Sequence, residues 1–275
     1  MRHAIFYMLL IFLRFSLSKF RSSCLRLLKA LRINLLIFLN SKDYTTLRLR
    51  THDLKILEAQ SPKIVCTGIP RVIHIVWVGD QSKIPAELIK SWYIMNPSLK
   101  IRIWNNQDFY TRQWFNHDLL HYFWNHKKYE SVADLMRYEI LYTEGGFAVD
   151  ADTLCVKSLP SYMFELASFT CFENELAAPG LLSNGYLATH PNSTLLRSII
   201  ISIANDKRVK TWPGWIILGP GRLTSVYRVT KLSGLTIFPS YYFIPEHYSG
   251  AKYLGDSSNV YARQFWGTTL DNYSR

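Results

Sequence analysis

The amino-acid sequence predicts an α/β domain with a mixed, mostly parallel sheet and helices on both faces. The largely apolar run of residues 71–78, RVIHIVWV, ends at Gly79-Asp80, and such a run is typical of a strand buried on both faces. A helical pattern at residues 85–95 is followed by a strand pattern at residues 100–104. Strands that alternate with helices along the chain indicate this fold class.

Each further element rests on a local signal. Pro85 suits the first turn of the first helix, and Asn96-Pro97-Ser98 turns the chain towards the second strand. Residues 108–124 predict one aromatic-rich helix. The later predicted elements are a helix from residue 131, strands at residues 147–149 and 153–156, a turn at Asn184-Gly185, a helix that begins near Pro191 and a helix after Gly219-Pro220-Gly221.

The positive charge is concentrated near the start of the chain. The formal net charge of the 275 residues is +12, and residues 1–50 hold ten Lys and Arg side chains against Asp43 alone. The remaining residues are therefore close to neutral, which argues against nucleic acid as a partner.

Residues 1–40 predict a basic amphipathic helical arm. The apolar run at residues 4–13 is shorter than the about 20 residues that span a bilayer. An apolar helical stripe beside basic residues follows, formed by Cys24, Leu27, Leu28, Leu31 and Leu35. This pattern favours docking on an anionic membrane surface, with the protein cytoplasmic and peripheral on the inner face of a membrane. Packing of the arm on the folded domain is the alternative. Residues 41–68 are predicted as a linker and residues 69–275 as that domain.

A helix with a polar face is predicted from residue 131. Ser131 followed by Asp134 predicts a capping box at the helix start. The spacing i, i+3, i+4 then places Asp134, Arg137 and Tyr138 on one face. Gly145-Gly146 ends the helix, because glycine readily adopts the left-handed conformation of a C-terminal cap.

Two aspartates follow the short strand at residues 147–149. Side chains two apart in an extended chain point the same way, so Asp150 and Asp152 can face one cation. Hard cations such as Mn²⁺ or Mg²⁺ prefer oxygen ligands and leave positions open for substrate phosphates. The pair therefore predicts a site for one of these metals.

Residues 133–152, ADLMRYEILYTEGGFAVDAD, resemble the sugar-binding region of glycosyltransferase family 32. The shared parts are a D-x-x-R-Y helix, a Gly-Gly turn, a short apolar strand and D-x-D. Residues 69–79, IPRVIHIVWVG, also resemble the opening I-P-x-x-I-H-x-x-W-x-G of these enzymes. The resemblance covers about residues 69–270. It implies a GT-A-like domain and a metal-dependent transferase that retains anomeric configuration. The implied donor is a nucleotide sugar (UDP preferred, GDP possible) and the acceptor is a glycan or lipid-linked.

The resemblance also implies roles for individual residues. It assigns Asp134 and Arg137 to donor-sugar hydroxyls, with Arg137 also near the diphosphate, and Asp152 to the metal with help from Asp150. Together Asp134, Arg137 and Asp152 form the implied catalytic set. The implied donor-binding residues are Ile75 and Val76 through their backbone, Trp77 by stacking on the base, and Asp134, Arg137, Tyr138, Asp150 and Asn184.

Two of these residues, and His74 beside them, also have a purely structural interpretation, and the resemblance is incomplete near the C-terminal end of the match. Trp77 could be a core aromatic and Asn184 an ordinary turn residue, while His74 is expected to be a hydrogen-bonded core histidine rather than a metal ligand. Where relatives carry H-x-W-x-x-S-W, this chain offers Gln264 and Thr268 but lacks the His. The third protein ligand of the metal therefore stays open.

Two other classes compete with the transferase. Asp150-Ala151-Asp152-Thr153 also spells the D-x-D-x-T of phosphatases that use the first aspartate as nucleophile, but the later Gly255-Asp256 has Val260 where the next acidic residue should fall. A non-catalytic membrane-bound scaffold is the second. The four polar residues of the motif are all present, which argues against such a scaffold. They are Asp134, Arg137, Asp150 and Asp152.

Overall fold

The computed structural model describes residues 68–230 and 234–267. The predicted arm at residues 1–40 and all but the last residue of the predicted linker lie outside this part of the chain. Among the described residues, no helix combines the length and the apolar character needed to cross a membrane.

A seven-stranded sheet forms the centre of the described domain. The strands in chain order are β1 (Val72–Val76), β2 (Lys100–Trp104), β3 (Gly146–Val149), β4 (Thr153–Cys155), β5 (Ser168–Asn174), β6 (Ala178–Leu182), β7 (Tyr186–Thr189), β8 (Leu235–Phe238) and β9 (Ala262–Gln264). The main sheet has the order β2-β1-β3-β7-β5-β6, with β8 along the other edge of β5, and β4 pairs with β9 in a separate ribbon.

The sheet is mixed, as predicted, but the prediction of mostly parallel pairing is wrong. Within the described residues, β1 runs parallel to β2 and β3, and β5 runs parallel to β8. The pairs β3–β7, β5–β7 and β5–β6 are antiparallel. The short connection between β5 and β6 explains part of this, because a parallel pair needs a crossover of a dozen or more residues.

Helices cover both faces of the sheet. They are α1 (Ala86–Met95), α2 (Asn106–Thr111), α3 (His117–Asn125), α4 (Tyr129–Glu144), α5 (Thr194–Ala204), α6 (Gly214–Ile217) and α7 (Pro220–Thr230). Apolar residues of α4, α5 and α7 form one core with Ala148, while Trp92 of α1 belongs to a second core with Phe147 and Val149. Alternate residues of β3 thus enter opposite cores, so this strand is buried on both faces.

His74 of β1 is the hydrogen-bonded core histidine that the sequence predicted. Its Nδ1 accepts from Trp104 Nε1 at 3.0 Å, and its Nε2 lies 2.9 Å from the carbonyl oxygen of Gly145. Nε2 is therefore the protonated nitrogen that donates. Burial lowers the pKa of His74 to about 4, so the ring is neutral.

Two local predictions are wrong. The first concerns the capping box: α4 begins at Tyr129, and Ser131 is buried inside its first turn. The side chain of Asp134 instead bonds to Arg137 and Asn184. The second concerns residues 108–124, which form two helices, α2 and α3, and not one.

Glu139 accounts for the break between α2 and α3. This buried carboxylate accepts hydrogen bonds from the backbone N–H groups of Phe115 and Asn116, at 2.6 and 2.9 Å. A backbone held by these bonds cannot also continue one helix through residues 112–116. The cause lies on α4, so a local helical pattern could not reveal it.

The strand directions bring several strand ends to one edge of the sheet. β3 is parallel to β1, β7 is antiparallel to β3, and β5 is antiparallel to β7. The C-terminal ends of β1, β3 and β5 therefore meet the start of β7. Across the sheet, the end of β1 is followed by Trp77, the end of β3 by Asp150, the start of β7 is preceded by Asn184, and the end of β5 carries Glu173.

Candidate functional site

A large cavity opens at this edge of the sheet. It has a volume of about 1030 Å³. Trp77 lines one end of it, Asp134, Arg137, Asp150 and Asp152 line the middle, and other side chains extend it beyond the start of β7. Volumes of this size fit a ligand with several rings.

Arg137 is the centre of a buried polar network in the cavity floor. The residue is 4% exposed, and its Nη1 donates to Asp134 Oδ1 at 3.0 Å and to the carbonyl oxygen of Asn184 at 3.1 Å. Its Nη2 donates to Asp150 Oδ1 in a short contact. Asn184 Nδ2 also donates to Asp134 Oδ1, at 2.7 Å. The network joins α4 to the ends of two strands, because one guanidinium offers several N–H groups in a fixed plane.

A tight turn presents the two aspartates. Thr153 Oγ1 donates to the carbonyl oxygen of Asp150 at 2.6 Å, and the turn is therefore not the extended chain that was predicted. The carboxylates nevertheless converge on one side chain. Gln264 Nε2 lies 2.8 Å from Asp152 Oδ1 and 3.4 Å from Asp150 Oδ2.

Pairing of β4 with β9 brings Gln264 to this place. Thr153 is opposite Gln264 in the ribbon, and Phe265 N donates to the carbonyl oxygen of Asp152 at 3.0 Å. Gly267 N donates to the carboxylate of Asp152 at 2.6 Å. The segment around residue 265 therefore closes over the second aspartate. Thr268, the other candidate of that segment, lies outside the described residues.

Gly185 permits the close approach of Asp150. Asp150 N donates to the carbonyl oxygen of Gly185 at 3.0 Å, and a Cβ at position 185 would collide with the Asp150 carboxylate. The sequence indicated Gly185 only as half of a turn. Its steric role depends on the register of β3 against β7, which spacing along the chain does not contain.

The oxygen atoms around the turn fit a hard divalent cation. Two carboxylates face the same space, and Gln264 Oε1 is buried without a hydrogen-bond partner among the described residues. Within residues 68–230 and 234–267, no group of three His, Cys, Asp or Glu side chains could hold a metal. Mg²⁺ does not require three such protein ligands, because it is commonly bound by one or two carboxylates together with water and substrate phosphates.

Burial controls the protonation of the aspartates in the cavity. Desolvation raises the pKa of Asp134 to about 6, although the Arg137 guanidinium opposes this shift. Desolvation, and then the charge of Asp150, also raise the pKa of Asp152. Near neutral pH both are poised to be carboxylates, and a nearby cation would favour that state further.

Trp77 lies at the other end of the cavity. Its Nε1 donates to the carbonyl oxygen of Asp80 at 3.1 Å, and its own carbonyl oxygen accepts from Gln81 Nε2 at 3.2 Å. Val76 and Lys83 line the same end. The indole borders the cavity and is only partly buried, as a residue that stacks on a flat ring must be.

Two predicted donor-binding residues lie away from the cavity wall. The side chain of Ile75 is fully buried in the core, which leaves only the predicted backbone role. The ring of Tyr138 is also fully buried, and its hydroxyl donates to the carbonyl oxygen of Gly219 at 3.2 Å. Tyr138 therefore packs beneath the Arg137 network. Glu173 and His247 line the cavity but carried no local signal in the sequence.

The sequence of this chain is similar to known glycosyltransferases. Residues 84–172 match the family model described as a glycosyltransferase sugar-binding region containing the DXD motif. The chain is 30% identical over 129 residues to an uncharacterized glycosyltransferase, L373, of Acanthamoeba polyphaga mimivirus. The aligned part is 45% of this chain and 51% of that protein, so the chain spans about half the length of the curated relative it matches.

Two solved structures are similar to the described domain, and the first supports its fold. The PaToxG glycosyltransferase superposes with a TM-score of 0.51 at 16% identity, over 71% of this chain and 80% of that chain. The UDP-bound glycosyltransferase domain from the YGT toxin has a TM-score of 0.46 at 9% identity, over 62% of this chain and 79% of that chain. The first of these shows a GT-A-type fold.

The prediction from the sequence is thereby confirmed at the level of a DXD-containing glycosyltransferase family, while family 32 stays a prediction. Residues 84–172 carry the sugar-binding region, and the described domain has the fold that such enzymes share. Residues 84–172 of this chain are thus similar to the sugar-binding region of glycosyltransferases that contain the DXD motif.

Proposed function

We propose that the chain transfers a sugar from a nucleotide-sugar donor to a glycan or lipid-linked acceptor, with Mn²⁺ or Mg²⁺ and with retention of configuration. UDP is the preferred donor nucleotide and GDP the second. One observation carries the proposal: a single guanidinium, Arg137, joins Asp134, Asp150 and Asn184 inside one large cavity. A cleft of this kind offers hydrogen bonds for sugar hydroxyls next to carboxylates suited to a cation.

The buried network orients the donor sugar. Asp134 and Asn184 present a carboxylate and an amide to the cavity, and hydroxyl groups can both donate to and accept from such groups. Arg137 fixes the position of both, so the sugar meets a preformed set of partners. Preformed partners cost little reorganisation when the substrate binds or reacts.

Asp152 and Asp150 hold the cation, and Gln264 lies between their carboxylates. A bound Mg²⁺ or Mn²⁺ supplies positive charge that stabilises the departing diphosphate. Trp77 stacks on the base at the far side, which aligns the nucleotide from the end of β1 to the end of β3.

Retention follows when the acceptor attacks on the face from which the diphosphate leaves. The leaving phosphate oxygen then takes the proton of the acceptor hydroxyl, and no carboxylate base is required. Arg137 lies on the donor side of this exchange and forms an ion pair with Asp150.

Asp150 is poorly placed for the competing role of phosphatase nucleophile. One of its oxygens is bound by Arg137, and the other faces Gln264 and the backbone of Gly185. A nucleophilic carboxylate needs one oxygen free to approach phosphorus. The contacts therefore favour the transferase.

The proposal is tested by incubating the protein with a panel of UDP- and GDP-sugars and measuring release of free nucleotide, with Mn²⁺, with Mg²⁺ and with chelator. We expect metal-dependent release from one or a few donors, and release of the sugar with the anomeric configuration of the donor when followed by NMR. Hydrolysis of p-nitrophenyl phosphate with no turnover of any nucleotide sugar would refute the transferase and support the phosphatase.

A further inference from the structure

The end of the cavity farthest from Trp77 carries three polar side chains that the proposed donor site does not use. Glu173 lies near the end of β5, and His247 and Tyr248 lie in the loop that precedes β9. All three line the same cavity as the aspartates of the DXD motif. They form what we call the distal cluster.

The position of the distal cluster follows from the sheet. The ends of β1, β3 and β5 and the start of β7 share one edge, and neighbouring strands lie about 4.8 Å apart. Glu173 on β5 is therefore three strands, or roughly 14 Å, from β1, the strand that Trp77 follows. A nucleotide that stacks on Trp77, with its diphosphate at Asp150 and its sugar at Asn184, leaves Glu173 beyond the sugar.

His247 is a buried neighbour of the Glu173 carboxylate. Its Nδ1 accepts a hydrogen bond from Ser249 N at 3.2 Å, so the proton of the neutral ring is on Nε2. Nε2 is buried, has no hydrogen-bond partner among the described residues, and lies 3.7 Å from Glu173 Oε1. The residue is 3% exposed, and among the residues that the structure describes its one acidic neighbour at this distance is the carboxylate that lines the cavity. Nε2 of His247 therefore faces Glu173 at ion-pair distance, without a hydrogen bond between them.

Tyr248 adds an aromatic face beside the carboxylate. The residue is 45% exposed, and its ring packs edge-on against Trp266, with the ring centroids 5.1 Å apart. Burial, and then the charge of Glu173, raise the pKa of Tyr248, so its hydroxyl remains a neutral donor. An exposed, fixed aromatic ring next to hydrogen-bonding groups suits the apolar face and the hydroxyls of a sugar.

We propose that the distal cluster binds the hydroxyl groups of an acceptor glycan, with Glu173 accepting from an acceptor hydroxyl and His247 holding that carboxylate in place. The inference rests on the proposed function and deepens it, since it favours a glycan over a non-sugar acceptor. Besides the position of the cluster in the cavity, the buried N–H of His247 supports the proposal. Buried N–H groups without a hydrogen-bond partner are rare, and a bound ligand that brings Glu173 closer would give this one a partner.

The test is binding of the labelled full chain to a broad glycan array in the presence of UDP and Mn²⁺. Three variants probe the cluster. Glu173→Gln keeps the size of the side chain but removes its charge. His247→Gln keeps an N–H donor, while His247→Phe keeps ring bulk without one. Glu175→Gln is the matched control, because it removes the same charge two residues farther along the chain, just after β5, where the carboxylate bonds Ser240 and does not line the cavity.

We expect the wild type to bind a defined set of glycans, and Glu173→Gln to weaken that binding by about 10- to 100-fold, the usual effect of losing a hydrogen bond to a charged group. His247→Phe should lose more than His247→Gln. Glu175→Gln should bind glycans as the wild type does.

Three results would overturn the inference. They are the absence of glycan binding by the wild type, unchanged binding by Glu173→Gln, and an equal loss in Glu175→Gln. UDP affinity, measured in parallel by calorimetry, separates the two proposals. A wild type that binds UDP but no glycan removes only the acceptor site, whereas failure to bind any nucleotide removes the donor site of the proposed function.

Discussion

Replacing Arg137 by lysine separates the geometry of its hydrogen bonds from its charge. The guanidinium uses two nitrogens to reach Asp134, Asp150 and the carbonyl oxygen of Asn184. A lysine has one ammonium on a flexible stem, and it cannot hold acceptors on two sides of a plane at once. We therefore expect Arg137→Lys to fail although the charge is kept.

The size of the effect follows from the bonds that are lost. The variant leaves at least one partly buried carboxylate without its partner, and a hydrogen bond to a charged group contributes about 1.5–3 kcal/mol. A loss of about 3 kcal/mol in the free energy of unfolding corresponds to a Tm lower by roughly 6–12 °C in a domain of about 200 residues. Misplacement of Asp134 and Asp150 should reduce kcat/KM by about 100-fold or more, since each 1.4 kcal/mol is tenfold.

Nucleotide release from the preferred donor and thermal unfolding would be measured on the same preparations. Arg228→Lys is the matched control, because Arg228 is an exposed residue of α7 that bonds a single carbonyl oxygen, that of Gly180. The control should keep the turnover and the Tm of the wild type. Wild-type turnover by Arg137→Lys would show that Arg137 is a structural residue and that the donor network has been misassigned.

Three further predictions follow from the structure and the sequence. Gly185→Ala should lower kcat/KM by about 10-fold or more with a small change in Tm, because its Cβ displaces the Asp150 carboxylate; equal activity would show that Asp150 can move without harm. Donor binding should weaken as the pH falls through about 6, where Asp134 becomes protonated, as a pH series of donor KM would show. The free energy of unfolding should move oppositely, because a carboxyl group with a raised pKa in the folded state adds stability below its unfolded value and loses it as the pH rises through about 6. Asp134→Asn should weaken both trends, and the part that remains belongs to Asp152, whose pKa is also raised to about 6. Removal of residues 1–40, which lie outside the described residues, should leave nucleotide release intact and abolish sedimentation with anionic vesicles, since each basic residue near such a surface contributes about 1 kcal/mol; unfolding of the truncated protein would instead make the arm part of the domain.

Elements with local signals were predictable from the sequence. β2 occupies residues 100–104 as predicted, α1 begins one residue after Pro85, and Gly145 ends α4 with a φ of 65°. Each depends on residues within a few positions of one another. The D-x-D motif was found for the same reason, since its two carboxylates are adjacent to the strand that carries them.

What the sequence could not show depends on distant residues. Glu139 breaks the predicted helix from 23 positions away, and Gln264 reaches Asp152 from 112 positions away through the β4–β9 ribbon. Glu173 and His247 are likewise brought together only by the sheet and the last loop. Contacts of this kind follow from register and packing, which a pattern along the chain does not contain.

The most direct measurement of the central claim is nucleotide release and metal-dependent UDP binding by Asp152→Ala. Asp152 lies in a turn held by Gln264 and Gly267 and outside the cores of the sheet, so the variant should fold. Loss of a group that holds the cation should remove several kcal/mol of transition-state stabilisation. We predict that a folded Asp152→Ala protein neither releases nucleotide nor binds UDP in a metal-dependent way. Normal activity in that folded variant would contradict the account.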